Sequence, residues 1–116
     1  MNRKEKRQII GESIDLGNGR FKEHELDTLL DIATNFGSYS GQRNTERKSF
    51  TDWCSDGKYS RTTETTYSFD RDDSGIFISE DYSYKDNDGD SGSGRIEHRT
   101  ARDILSNLSS IFGNKC

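Results

Sequence analysis

The amino-acid sequence predicts an α+β domain: N-terminal helices, a four-stranded antiparallel meander, and a C-terminal helix packed on one sheet face. Three observations predict it. From Lys58 to Lys85, Thr, Tyr, Phe and Ile alternate with period two about a polar turn, the pattern of a long β-hairpin. Phe21–Phe36 and Thr100–Phe112 instead repeat their apolar residues at helical spacing. Clusters of Gly, Asn, Asp and Ser punctuate the chain between these blocks.

The hairpin is the organising element. Its first arm is Lys58–Asp70, its second Gly75–Lys85, and Arg71-Asp72-Asp73-Ser74 joins them. Tyr59, Arg61, Thr63, Thr65, Tyr67 and Phe69 fall on one face of the first arm. Ile76, Ile78, Glu80, Tyr82 and Tyr84 fall on one face of the second.

Ahead of the hairpin, Ile9, Ile10 and Ile14 fit one face of a frayed helix over about residues 3–13, with residues 1–8 the part expected to be disordered. A short strand Ser13–Leu16, turning at Gly17-Asn18-Gly19, stays open as an alternative. In the helix Phe21–Phe36 the stripe is Leu26, Leu29, Leu30, Ala33 and Phe36. Glu23, Glu25 and Asp27 complement its N-terminal dipole, and Gly37 is placed to cap it in the left-handed conformation. Residues 37–46 read as a loop. Lys48–Ser55 reads as a strand carrying Phe50 and Trp53, and Asp56-Gly57 as a tight turn into the long arm. Asp86–Gly94 reads as the most flexible stretch, and Arg95–Arg99 as a short last strand. Thr100, with Asp103 three residues on, opens a helix whose stripe is Ile104, Leu105, Leu108, Ile111 and Phe112 and which Gly113 ends.

Length and composition bound the rest. With 116 residues the chain makes a single domain, 1–116, and 28% hydrophobic against 33% charged residues implies a thin core to which a second copy can add burial. The net charge of −4 is uneven: residues 1–7 carry +3 (Arg3, Lys4, Lys6 and Arg7 against Glu5) and residues 62–90 carry −7 (nine acids against Arg71 and Lys85). An acidic sheet repels phosphate backbones, so direct nucleic-acid binding through it is disfavoured. No apolar run has transmembrane length and no secretory signal is evident, so a cytoplasmic, non-membrane protein with two free thiols is expected.

The motifs that carry chemistry match weakly. Asp86-x-Asp88-x-Asp90 with Glu97 eleven residues after Asp86 has the ligand spacing of a calcium loop, but Ser91 stands where that loop needs Gly and the flanks are strands. Asp70-x-Asp72-x-Ser74-Gly75 with Asp81 is a second partial match. Hairpin tips also favour these residues for turn reasons alone, so no metal ligand is assigned. Cys54 lies between Asp52 and Asp56, an environment that disfavours a thiolate, and with His24, His98 and Cys116 it gives no zinc spacing. A P-loop, dinucleotide fingerprint and nucleophile elbow are all missing, so no catalytic residue, no cofactor and no enzymatic activity are expected. The clusters Arg3/Lys4/Lys6/Arg7, Arg43/Arg47/Lys48 and Arg95/Arg99/Arg102 read as solvated surface or as partners for nearby acids. Most of the sheet's tyrosines read as core beneath the helices, and Phe77, on the opposite face beside Ser79 and Asp81, reads as an exposed anchor.

An acidic, tyrosine-containing sheet suits a basic protein partner, which is often a nucleic-acid-binding protein. In size, charge layout and lack of enzymatic motifs the chain resembles small phage and mobile-element inhibitors of host defence, the anti-CRISPR and antirestriction proteins. The resemblance implies a non-enzymatic inhibitor that presents carboxylates where a nuclease expects phosphates. The partner-binding residues expected are Glu64, Asp70, Asp72, Asp73, Phe77, Glu80, Asp81, Asp86, Asp88 and Asp90, and reversing Asp72, Asp73, Asp86 and Asp88 is expected to abolish binding while sparing the fold. Two alternatives stand beside it: a calcium-stabilised binding module, and a small nucleic-acid-binding protein working through its basic arms. A homodimer through an edge strand is also open.

Overall fold

Two periodicities laid side by side set the architecture. The computed structural model describes residues 1–52 and 59–112. Its elements are α1 (Arg3–Gly11), α2 (Glu23–Thr34), a single turn α3 (Phe36–Tyr39), β1 (Arg43–Asp52), β2 (Tyr59–Asp72), β3 (Gly75–Asp86), β4 (Ser91–His98) and α4 (Ala101–Phe112). The four strands form one antiparallel sheet in the order β1-β2-β3-β4, and with the helices they make an α+β fold.

The register confirms the expected faces. Phe69 lies opposite Ile78, Tyr67 opposite Glu80, Thr65 opposite Tyr82 and Thr63 opposite Tyr84. These residues, with Phe50 of β1 and Ile96 and His98 of β4, form the inner face, toward the helices. The outer face carries Arg47, Glu64, Asp70, Phe77, Ser79, Asp81 and Arg95.

The core sits at one end of the inner face only. Phe69, Ile76 and Ile78 meet Ile10 and Ile14, Leu26, Leu29 and Ile32 of α2, and Ala101, Ile104 and Ile111 of α4. Ile32, fully buried, belongs to the α2 stripe although the five-residue pattern omits it. The length of the elements explains the restriction. At ~1.5 Å per residue the twelve residues of α4 span about 18 Å, whereas at ~3.3 Å per residue the twelve of β3 span about 40 Å. The helices cover the turn end of the hairpin, and the remainder extends beyond them in a molecule of 63 × 30 × 26 Å.

Several local expectations are corrected. The hairpin turn tightens to Asp73-Ser74, with the Ser74 N–H donating to Asp72 Oδ1 at 2.9 Å. Gly37 lies within α3 and is not left-handed; Asn35, at φ −120°, ends α2. The proposed loop 37–46 gives way to α3 and to β1 from Arg43, whose first residues pair with Ser68, Tyr67 and Thr66. Likewise Ser91–Gly94 belong to β4, paired with Lys85–Tyr82. Both strand starts are polar and so carry no alternation to read. The Ser13 and Ile14 N–H groups close the end of α1 on Ile10 O, at 3.0 and 2.8 Å, and Ser13–Asp15 form no independent hairpin. The Ile76 N–H donates to Ser13 O at 2.8 Å and the Ala101 N–H to Asp15 O at 2.7 Å, so this strip ties the hairpin tip to the start of α4. Thr100 Oγ1 accepts from the Asp103 N–H at 3.1 Å, as the expected cap requires. Trp53, Cys54, Ser55, the Asp56-Gly57 turn, Lys58, Gly113 and Cys116 lie outside the described residues.

The contact between Gly75 and Ser13 is intolerant of a side chain. Gly75 has φ 121°, and a Cβ there would stand 2.5 Å from Ser13 O. Gly75→Ala is expected to cost about 2–3 kcal/mol in urea denaturation. Gly89→Ala, where a Cβ meets nothing within 4 Å, is expected to cost about 1 kcal/mol.

Candidate protein-interaction surface

The acids expected to form one partner surface are divided between the two ends of β3. Asp70, Asp72 and Asp73 lie at the β2–β3 turn, over the helical end, and Asp86, Asp88 and Asp90 at the β3–β4 turn. About 40 Å of strand separates them. Nor do the rest share a face, since Glu80 is on the inner face and Glu64 and Asp81 on the outer.

Most of these carboxylates already hold a partner within the chain. Glu64 pairs with Arg47 at 2.7 Å, Glu80 with His98 Nε2 at 2.8 Å, and Asp81 and Asp70 with Arg95 at 3.5 and 3.7 Å. Asp72 accepts two bonds from the Arg99 guanidinium, at 2.5 and 3.1 Å, and Arg99 holds its carboxyl below the usual range. Asp86 is buried at the far turn. Its Oδ1 accepts from the N–H groups of Asp88 and Asp90 at 3.0 and 2.8 Å, and its Oδ2 from the Tyr59 hydroxyl at 3.1 Å. Burial pushes this carboxyl up, but the Asp90 N–H, the Tyr59 hydroxyl and the Asp88 N–H together leave it below its ordinary value. Asp73, Asp88 and Asp90 remain as exposed acids. Reversing Asp72 and Asp86 would therefore remove bonds that organise the two turns, so that variant tests stability together with binding.

Phe77 is not an exposed anchor. It is 2% exposed on the outer face, with the Arg99 guanidinium 4.1 Å and that of Arg95 5.9 Å from its ring centroid. Asp72, Asp70, Asp81 and Glu97 hold these two arginines from the side. A cation lies well over an aromatic face, and the carboxylates fix the lid in place.

The surface that is open lies on the inner face beyond the helices. Tyr59, Tyr82 and Tyr84 do not join the core, which corrects their reading as residues beneath helices. Tyr82 and Tyr84 stand opposite Gly94 and Gly92, and their rings lie down over these glycines. A Cβ at Gly92 would be 2.7 Å from Tyr84 Cε1, and one at Gly94 2.5 Å from Tyr82 Cζ. The Arg61 guanidinium stacks 4.5 Å from the Tyr84 ring centroid, and its Nε donates to the Tyr59 hydroxyl at 3.1 Å. Phe50 meets Tyr59 edge-on at 6.5 Å and is 58% exposed, and Ile96 on β4 is 45% exposed. The result is a platform of Phe, Tyr, Ile and Arg, its tyrosines braced by the glycine seats and by the chain Asp86–Tyr59–Arg61–Tyr84. Element lengths were the available signal, because helices of nine to twelve residues cannot roof arms of twelve to fourteen. The opposite side of this overhang is a shallow polar depression of about 530 Å³ edged by Arg47, Thr62, Glu64, Ser83 and Lys85.

Several members of the basic clusters are engaged too. Lys6 bonds Glu23 and Asp27 at 2.6 Å each, Arg3 pairs with Glu23 at 3.2 Å, and Arg102 joins Glu25 at 2.6 Å and Arg20 O at 2.8 Å. Among the described residues no group of three or more His, Cys, Asp or Glu side chains is arranged to hold a metal ion, and no helix is long and apolar enough to cross a membrane. His24 is exposed on α2. No protein-family model, curated protein or solved structure matches this chain.

Asp86→Ala is expected to lower Tm by about 5–10 °C at pH 7, and Asp88→Ala by about 1 °C. The Asp86 carboxyl is depressed in the folded state, so its stabilisation is present above the ordinary Asp value of about 3.9 and is lost as pH falls through its lower folded value. Thermal melts from pH 7 to pH 2 should show the difference between wild type and Asp86→Ala narrowing below about pH 4.

Proposed function

We propose that this chain is a non-catalytic protein-binding domain whose recognition surface is the uncovered half of the sheet. One observation carries the reading: the inner face continues past the helices as a platform of Phe50, Tyr59, Tyr82, Tyr84, Ile96 and Arg61. Tyr, Phe and Arg are the residue types that anchor protein interfaces, being large, amphipathic and low in rotamer freedom. Here their rotamers are largely set before a partner arrives, which reduces the entropy lost on binding.

The narrower reading, inhibition of a basic nucleic-acid-binding defence protein, is proposed on the same surface with a reduced acidic component. Asp88 and Asp90 sit at the turn adjoining the platform and can steer a cationic partner toward it, while the platform supplies the short-range contacts. Asp70, Asp72, Glu80 and Asp81 are committed within the chain and contribute little further attraction.

The test is a nuclease-treated affinity capture from host lysate with three baits: wild type, Ile96→Asp, and Asp88→Lys/Asp90→Lys. A partner of the platform is expected to be lost with Ile96→Asp, at least tenfold, and retained at reduced yield with the lysine pair, most visibly at low salt. Undiminished capture by Ile96→Asp, with loss only in the lysine variant, would contradict the platform reading.

A further inference from the structure

We infer that the outer edge of β1 is a self-complementary pairing surface for a second copy of this chain. β1 is an end strand of ten residues without glycine or proline, and among the described residues no strand covers its outer edge. The direction of its backbone groups follows from one bond. Phe69 N–H donates to Gln42 O at 3.2 Å, immediately before the pair Arg43↔Ser68, so Gln42 and Phe69 are a hydrogen-bonded pair of the ladder. Such pairs alternate in an antiparallel ladder. Arg43, Thr45, Arg47, Ser49 and Thr51 therefore turn their N–H and C=O groups away from β2, to the open edge.

Charge then selects the register. Two copies related by a two-fold axis normal to the sheet pair residues whose numbers have an even sum, because directly opposed side chains share a face. An axis at Lys48 sets Lys48 against Lys48 of the second copy, and an axis at Glu46 sets Glu46 against Glu46. The axis at Arg47 instead sets Glu46 against Lys48 of the second copy, twice, in the closely spaced non-hydrogen-bonded pairs. Arg47 then meets Arg47 of the second copy, each already held by its own Glu64 at 2.7 Å. All five outward residues pair in this arrangement, Arg43 with Thr51, Thr45 with Ser49 and Arg47 with itself.

An independent observation supports the same register. It places Phe50, 58% exposed, opposite Asn44 of the second copy. Asn44 Nδ2 donates to Ser110 O at 2.8 Å, so the C-terminal end of α4 lies over that position. Phe112, 41% exposed, is on that end. The exposed Phe50 is thus set beside the C-terminal end of α4 of the second copy at each side of the axis, and the sheet continues through eight strands.

Sedimentation equilibrium of the full chain tests this with a charge swap. Wild type is expected to approach twice the 13.2 kDa chain mass, and Lys48→Glu or Glu46→Lys alone to weaken the dimer at least about tenfold. The double variant Glu46→Lys/Lys48→Glu is expected to restore it, because the same two pairs form with reversed sign. A wild type that stays monomeric to millimolar concentration overturns the inference, as does a double variant no tighter than the single ones.

Discussion

The structure depends on one mismatch of length. A residue advances the chain about 1.5 Å in a helix and about 3.3 Å in a strand. Helices of nine to twelve residues therefore roof only part of strands of twelve and fourteen. The sequence places its aliphatic side chains accordingly: Ile76 and Ile78 at the turn end, tyrosine and threonine farther out. Where the roof ends, the inner face changes from aliphatic burial to aromatic rings lying over glycines. The proposed recognition platform follows from a sheet longer than its helices, whereas the edge of β1 follows from its place at the end of the strand order.

Electrostatics in this chain is largely internal. A −7 segment looks from composition like a surface offered to a cationic partner, yet six of its nine acids are engaged within the chain, several of them in holding turns and a lid. Asp72 and Asp86 tie the two ends of the hairpin. Asp70, Asp81 and Glu97 steady Arg95 over Phe77, and Glu97 with Asp72 steadies Arg99. Exposed ion pairs contribute only about 0–1 kcal/mol each, so their main effect is geometric: they fix where two guanidinium groups lie and so seal an aromatic ring that the thin core does not reach.

How much of this the sequence reveals depends on the kind of signal. The α2 and α4 stripes and the hairpin arms were legible because one face of each is apolar and the period is unambiguous. The starts of β1 and β4 were not, because Arg43–Arg47 and Ser91–Gly94 are polar or glycine-rich and their strand state comes from pairing with β2 and β3. Phe77 shows a different failure. Alternation put it correctly on the face away from the helices, but alternation says nothing of long side chains crossing from the next strand. The division of the acids was within reach, since the turn of a hairpin and the far end of its second arm must lie at opposite ends of the strand.

Amide hydrogen exchange, read residue by residue along β2 and β3, tests the partial roof most directly. Arg61–Ser68 of β2 and Ile78–Lys85 of β3 have a strand on each side, and at the turn end the Phe69 and Ile76 N–H groups donate to Gln42 O and Ser13 O, so backbone bonding alone would protect these amides alike. With the helices packed at one end, the amides of Phe69, Ile76 and Ile78 should exchange at least about 100-fold more slowly than those of Thr63 and Tyr84, through local opening of the unroofed end. Equal protection along the hairpin, or slower exchange at the Thr63–Tyr84 end, would contradict a core confined to the turn end.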